Sequence, residues 1–390
     1  MAMIFQQATV YTPLEVLERA AVVVSDEGRI TYVGPMEHAP TAQGTRIDLG
    51  GRILVPGFMD IHVHGGNGIT FEVEGDIPGL LDAYSKWIAT AGVTGYLCSI
   101  AAPKAEALEQ GIRYYVHALK AGPHAGAEAL GLHLEGPFLS REKKGAFNPA
   151  WLRAPSLEEA EAYLRAGEGW IRQMTLAPEL PGAADVARLF RQAGVVVALG
   201  HTNADYEAAG AALRGDWTHV THSFNAQRGF EHRAPGVFGA VLTSDGVTAE
   251  LIADAIHVHP GAMKVLVRCL GVDRVVLVTD AMAGAGLQDG EYDLVGHRVT
   301  VKGGRATLSD GTLAGSTARL NECVRNMHQQ VGLPLPQAVQ MATLNPARAM
   351  GFADRLGSIT VGKDASLTVI DENVDVYLTV VKGTLVYEGL

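Results

Sequence analysis

Cysteine is scarce in this chain, with only Cys98, Cys269 and Cys323 among 390 residues. Thiols so few and so widely spaced do not build a disulfide framework, and a reducing cytoplasm is the expected setting. No apolar run is long enough to span a bilayer. The opening Met1-Ala-Met-Ile-Phe-Gln-Gln also lacks the basic segment and apolar block of a secretory leader. Positive charge is short as well: 31 Lys and Arg against 42 Asp and Glu leave a formal charge of −11. That balance argues against nucleic acid as a partner. It also means that an anionic substrate must be held by local groups, against the overall field. There is no internal repeat and no low-complexity segment. What is present is 47% hydrophobic, enough for one large domain with a smaller companion.

Both chain ends read as small β structure. Met3–Val10, Ala20–Val24, Ile30–Val33 and Arg46–Leu49 alternate between turn signals, and Gly357–Asp371 with Val374–Tyr387 has the same texture. A small β-sandwich domain built from residues 1–55 and 355–390 is expected, with residues 56–354 inserted between. The inserted part alternates. Apolar runs at Phe58–His64, Val93–Ile100, Leu130–Glu135, Ile171–Ala177, Val195–Gly200, Thr218–His222, Ala249–Ala253 and Val275–Asp280 are separated, mostly, by helical patterns. Strand and helix alternating in this way predict an α/β protein with a (β/α)8 TIM-like barrel. A doubly wound sheet would usually carry a Gly-rich phosphate turn after its first strand; Gly65-Gly-Asn-Gly does not match one. The long excursion from Ala281 to Gly315 follows the last strand and is a candidate wall for a pocket. It carries a hairpin around Lys302–Arg305, and Ser316 is expected to cap the helix after it.

The informative feature is where polar residues fall. His62 and His64, two apart on a strand, share a side. Glu135 ends the third candidate strand, His201 follows the fifth, His222 ends the sixth and Asp280 the eighth. A barrel gathers all of these ends around one mouth. Four imidazoles and two carboxylates make a nitrogen and oxygen donor set suited to zinc or ferrous iron. A carboxylate after an apolar strand is also a common helix N-cap, so Asp280 alone decides nothing. His133 shares the face of Glu135 and is at best a supporting residue. His219, three before His222, is expected to pack elsewhere.

Pro56–Gly65 resembles the first strand of the amidohydrolase superfamily. Gly131–Pro137, Lys144–Pro149, Thr175–Glu179, Gly200–Ala204, Thr221–Ala226, Ile252–His257 and Leu313–Ser316 together resemble the N-acetylglucosamine-6-phosphate deacetylase family within it. The resemblance covers nearly the whole chain. It implies a homodimeric, metal-dependent hydrolase that removes acetate from N-acetylglucosamine 6-phosphate. Glu135, His201 and His222 match its metal site and Asp280 its catalytic acid/base. Ala146, Asn225, Ala226, Arg233, His257, Leu313, Ala314 and Gly315 match substrate-binding positions. His62 and His64 would add a second site sharing Glu135, for one or two divalent ions per subunit. Phe147 departs from the pattern, since some members carry histidine there.

Two other readings keep the fold. A cyclic-amide hydrolase or N-acyl-amino-acid deacylase would usually replace Glu135 with lysine or lack the Asn225-Ala226 and Arg233 set. A non-catalytic scaffold would typically have lost metal ligands.

Overall fold

A computed structural model describes residues 2–389 apart from 42, 102, 103, 123, 124 and 295. Eight parallel strands form a nearly closed barrel: β1 (Phe58–Val63), β2 (Val93–Ile100), β3 (Glu128–Glu135), β4 (Ile171–Leu176), β5 (Val196–Leu199), β6 (Trp217–Val220), β7 (Thr248–Ile252) and β8 (Val275–Val278). Each pairs with the next. Just beyond β8, the Asp280 amide donates to the His62 carbonyl at 2.9 Å, which ties the last strand to the first. Asp60 reinforces the same seam: its fully buried carboxylate accepts from the Thr279 amide (3.2 Å) and hydroxyl (2.6 Å). Burial pushes the Asp60 carboxyl up to about 7 against these hydrogen bonds.

The eight expected barrel strands are found within two residues of where the pattern put them, with helices between most of them. Asp76, Ser156 and Asp205 cap the helices that follow them, each accepting a backbone N–H in the first turn. One helix was not legible. Gly236–Leu242 lies between β6 and β7, and every residue but Leu242 is buried. An apolar helix that short, with two glycines, shows no polar face to mark its period. The helix after the excursion also starts later than expected. It runs Leu320–Gln329, and at its start the Glu322 carboxylate accepts from the Arg319 amide at 2.8 Å. Ser316 instead donates to the Thr279 carbonyl at 2.5 Å and fastens the excursion to the end of β8.

The terminal segments form one sheet of eight strands, which joins Met3–Tyr11, Val16–Val24, Ile30–Pro35, Thr45–Asp48 and Ile53–Pro56 to Leu367–Ile370, Val376–Val381 and Thr384–Glu388. Ile53–Pro56 is the strand where the two ends meet. Val55 pairs with Thr368 and Ile53 with Thr9. Gly57 then turns the chain into the barrel; a Cβ there would lie 2.2 Å from the Thr94 side chain. Phe5, Val10, Val22, Leu54, Leu367 and Val380 pack a core of its own for this sheet. No helix among the described residues is long and apolar enough to cross a membrane.

Candidate active site

The strand ends deliver the polar residues to one mouth, and they do so with strained backbone. His201, His222 and Asp280 have φ of 46°, 24° and 50°. Non-glycine residues rarely adopt this left-handed region, and such strain concentrates at functional sites. β1 bends as well: it advances from Asp60 to Val63 while β2 advances only from Tyr96 to Cys98. The simple alternation expected for β1 is therefore broken by one residue. His62, within that shift, and His64, beyond it, still reach the same mouth.

Glu135 is the hub. Its Oε1 lies 3.2 Å from His201 Nε2, 3.1 Å from His222 Nε2 and 3.4 Å from His62 Nε2. Its Oε2 lies 3.0 Å from His64 Nε2. Asp280 Oδ1 is 3.5 Å from His62 Nε2 and 3.4 Å from His64 Nε2. His201 and His222 bring their Nε2 atoms to 3.0 Å of each other. Ligands 2.0–2.1 Å from a tetrahedral ion stand about 3.3 Å apart. The donors thus fall into two groups of metal-binding spacing, Glu135–His201–His222 and His62–His64–Asp280.

The chemistry of the donors fits a cation. His201 Nδ1 donates to the Lys143 carbonyl at 2.9 Å, which leaves the Nε2 lone pair of the neutral ring facing Glu135. His62 Nε2 is buried with no hydrogen bond. Burial would raise the Glu135 carboxyl, but His62, His201 and His222 hold it well below the usual range. Burial likewise opposes a charged His62, yet Glu250, Glu135 and Asp280 push its pKa well above the ordinary value. The cluster demands positive charge, which a divalent ion would supply with the rings neutral.

Behind these donors lies a residue that sequence reasoning missed. Glu250, on β7, is fully buried and reaches His62 Nδ1 at 2.8 Å, Gln173 Nε2 at 2.7 Å, His219 Nε2 at 3.2 Å and the His222 amide at 2.9 Å. His62, His219 and their hydrogen bonds hold its carboxyl well below the usual range despite burial. The signal was available: a glutamate inside the apolar run Thr248-Ala-Glu-Leu-Ile is too costly to bury without partners. His219 packs away from the mouth, as expected, and is Glu250's neighbour. His133 sits between Ser99 and Thr175, 2.8 Å from each hydroxyl, with its ring 4.5 Å from that of His62.

A cavity of about 230 Å³ opens onto the cluster. Ala146, Asn225, Ala226, His257, Leu313 and Gly315 line it, together with His64, Glu135, His201, His222 and Asp280. Leu294 and Thr312 make the long excursion a wall, as the sequence suggested. His257 is held by Asp254, whose Oδ2 accepts from Nδ1 at 2.7 Å. Phe147 lines the cavity with its ring edge-on to His201, centroids 5.2 Å apart. Two expected contacts are not in the lining. Ala314 is buried among Met282, Leu294 and Val299. Arg233 is exposed on the loop before Gly236, and the Glu231 carboxylate accepts from the Arg233 and Ala234 amides.

Residues 53–386 match the amidohydrolase family. The chain belongs to that family. An N-acetylglucosamine-6-phosphate deacetylase of Vibrio furnissii is 38% identical over 374 residues, spanning 95% of this chain and 91% of the relative. An N-acetylgalactosamine-6-phosphate deacetylase of Escherichia coli O157:H7 is 37% identical over 334 residues, spanning 85% and 87%. Among solved structures, the N-acetylglucosamine-6-phosphate deacetylase of Pasteurella multocida superposes with a TM-score of 0.93 at 34% identity, covering 100% of both chains. The amidohydrolase is thus a hydrolytic enzyme acting on an amide.

Proposed function

We propose that this amidohydrolase removes acetate from N-acetylglucosamine 6-phosphate, releasing glucosamine 6-phosphate, with one or two divalent ions, zinc or iron, as cofactor. Residues 56–354 would form the catalytic unit and 1–55 with 355–390 its β companion. The observation that carries the reading is the convergence of Glu135, His201, His222, His62, His64 and Asp280 beside a sugar-sized cavity. When bound there, a divalent ion lowers the pKa of water to about 7 and polarises a carbonyl.

The chain's own groups do the rest. Glu135, His201 and His222 hold the ion. Asp280 takes the proton from the attacking water and returns it to the departing nitrogen, which is otherwise a poor leaving group. Asp254 fixes the His257 ring through Nδ1, and His257 is assigned to the acetyl group. Asn225, Ala226, Ala146, Leu313, Ala314 and Gly315 shape the sugar site, directly or through the loop that carries them. Arg233 is assigned to the phosphate, whose oxygens match a guanidinium fork.

Metal analysis combined with an acetate-release assay tests the proposal. The protein should hold a divalent ion and release acetate from N-acetylglucosamine 6-phosphate. Metal removal by chelation should stop turnover, and readdition should restore it. Comparing kcat/KM with N-acetylgalactosamine 6-phosphate sets the sugar. A metal-free active enzyme, or one indifferent to both sugars, would reject the assignment.

A further inference from the structure

We propose that Glu250 is a positioning residue for a second ion site, formed by His62, His64 and Asp280 with Glu135 shared. Through His62 it determines whether this amidohydrolase holds one ion or two. The inference rests on the metal-dependent reading above.

A carboxylate only accepts hydrogen bonds. Glu250 faces four groups in reach: His62 Nδ1, Gln173 Nε2, His219 Nε2 and the His222 amide. Each must therefore carry its hydrogen towards Glu250. For His219 this leaves Nδ1 to accept from the Thr248 hydroxyl at 2.6 Å. For His62 it puts the hydrogen on Nδ1 and, in the neutral ring, the lone pair on Nε2. That atom points at Glu135 Oε1 (3.4 Å) and Asp280 Oδ1 (3.5 Å), neither of which has a hydrogen to give when ionised. A buried lone pair facing two anionic oxygens is stable only with a cation between them. Carboxylate, histidine and metal in series is a recurrent way to fix a ligand's tautomer and basicity.

The two donor groups depend on Glu250 unequally. In the first, His201 is oriented by the Lys143 carbonyl, and Glu250 touches only the backbone of His222, whose Nδ1 has no partner. In the second, the His62 ring has Glu250 as its only hydrogen-bonding anchor among the described residues. Glu135 serves both, Oε1 towards His201, His222 and His62 and Oε2 towards His64.

The test is a zinc titration of metal-stripped protein, with zinc counted per chain and affinities read by competition with a coloured chelator. Wild type should take two zinc ions and His62→Gln one. Glu250→Leu should keep the first ion within a few-fold and weaken the second about 10–100-fold. Glu250→Gln retains a carbonyl that can accept from His62 Nδ1, so it should recover most of that loss. A purely structural role would lower the melting temperature without separating the two ions. Glu250 variants that weaken both ions alike, or neither, overturn the proposal. Should Glu250→Leu fail to fold, histidine nitrogen spectra of zinc-loaded wild type decide. Hydrogen on Nδ1 alone supports the assignment; hydrogen on Nε2, or on both, overturns it. A wild type with one zinc sinks the second site and leaves the proposed function standing; one with none sinks both.

Discussion

Glu135 and Asp280 are carboxylates at the ends of strands in the same mouth, yet their surroundings divide the work between them. Glu135 is 3% exposed and faces four histidines, so it has no freedom to exchange protons. Asp280 is 13% exposed, its Oδ1 faces His62 and His64, and it lines the cavity. A proton carrier must reach both water and substrate, which favours Asp280. Asp280→Asn should retain the ion on Glu135, His201 and His222 while kcat falls about 10²–10⁴-fold. Metal content and acetate release, measured on the same sample, check this; near-normal turnover would remove Asp280 from the role. At this scale the sequence revealed the residues at strand ends, because a barrel makes their convergence predictable. Glu250, inside a strand, went unread: its charge in an apolar run signals a buried partner, but only the fold shows that the partners are His62, Gln173 and His219.

Elements act by holding those ends still. Gly200 precedes His201, and a Cβ there would lie 2.6 Å from Thr221 Cβ and 2.8 Å from Thr175 Cγ2. Both threonines belong to neighbouring parts of the wall and hydrogen-bond to each other at 2.8 Å. Gly200→Ala should therefore displace the end of β5 and lower metal affinity, while Gly215→Ala, where a Cβ meets only the Ala212 and Ala211 carbonyls at 3.4 and 3.5 Å, should leave it unchanged. Zinc titration of both variants separates a local effect from loss of the fold. Elsewhere, Glu128 at the start of β3 ties the barrel to the terminal sheet, through Arg355 (2.9 Å) and Lys382 (2.8 Å). Burial would raise its carboxyl, but the two cations hold it below its ordinary value near 4.5. A depressed carboxyl stabilises the fold above the unfolded pKa, and the contribution fades as pH falls through the lower, folded value. Glu128→Gln should cost about 1 kcal/mol or less at pH 7, given the partial exposure of the cluster. The gap to wild type in thermal unfolding should close below pH 4.5; a constant gap would mean that the charge is not what stabilises.

For the molecule as a whole, the barrel was readable because its strands are apolar, evenly spaced and separated by periodic helices. Pairing between the chain ends was less so: Ile53–Pro56 has too few residues to show a period, and its partner Leu367–Ile370 is far away in sequence. Charge raises the last question. None of the described residues lining the cavity is lysine or arginine, and the net charge is −11, yet the proposed substrate carries a phosphate. Arg233, assigned to that phosphate, is exposed on a loop beside Phe230, itself 60% exposed. A dimer in which the loop of each copy completes the cavity of the other would supply the missing cation, and it is this arrangement that we propose. Arg233→Ala should then raise KM for the phosphorylated sugar far more than for the unphosphorylated one. Mixing Arg233→Ala chains with Asp280→Asn chains gives a sharper test. A two-fold dimer of the two kinds has one site with Asp280 and a partner's arginine both intact, so random exchange should restore about a quarter of wild-type activity. If each chain supplies its own Arg233, the mixture stays as inactive as its parents, and the shared site is wrong.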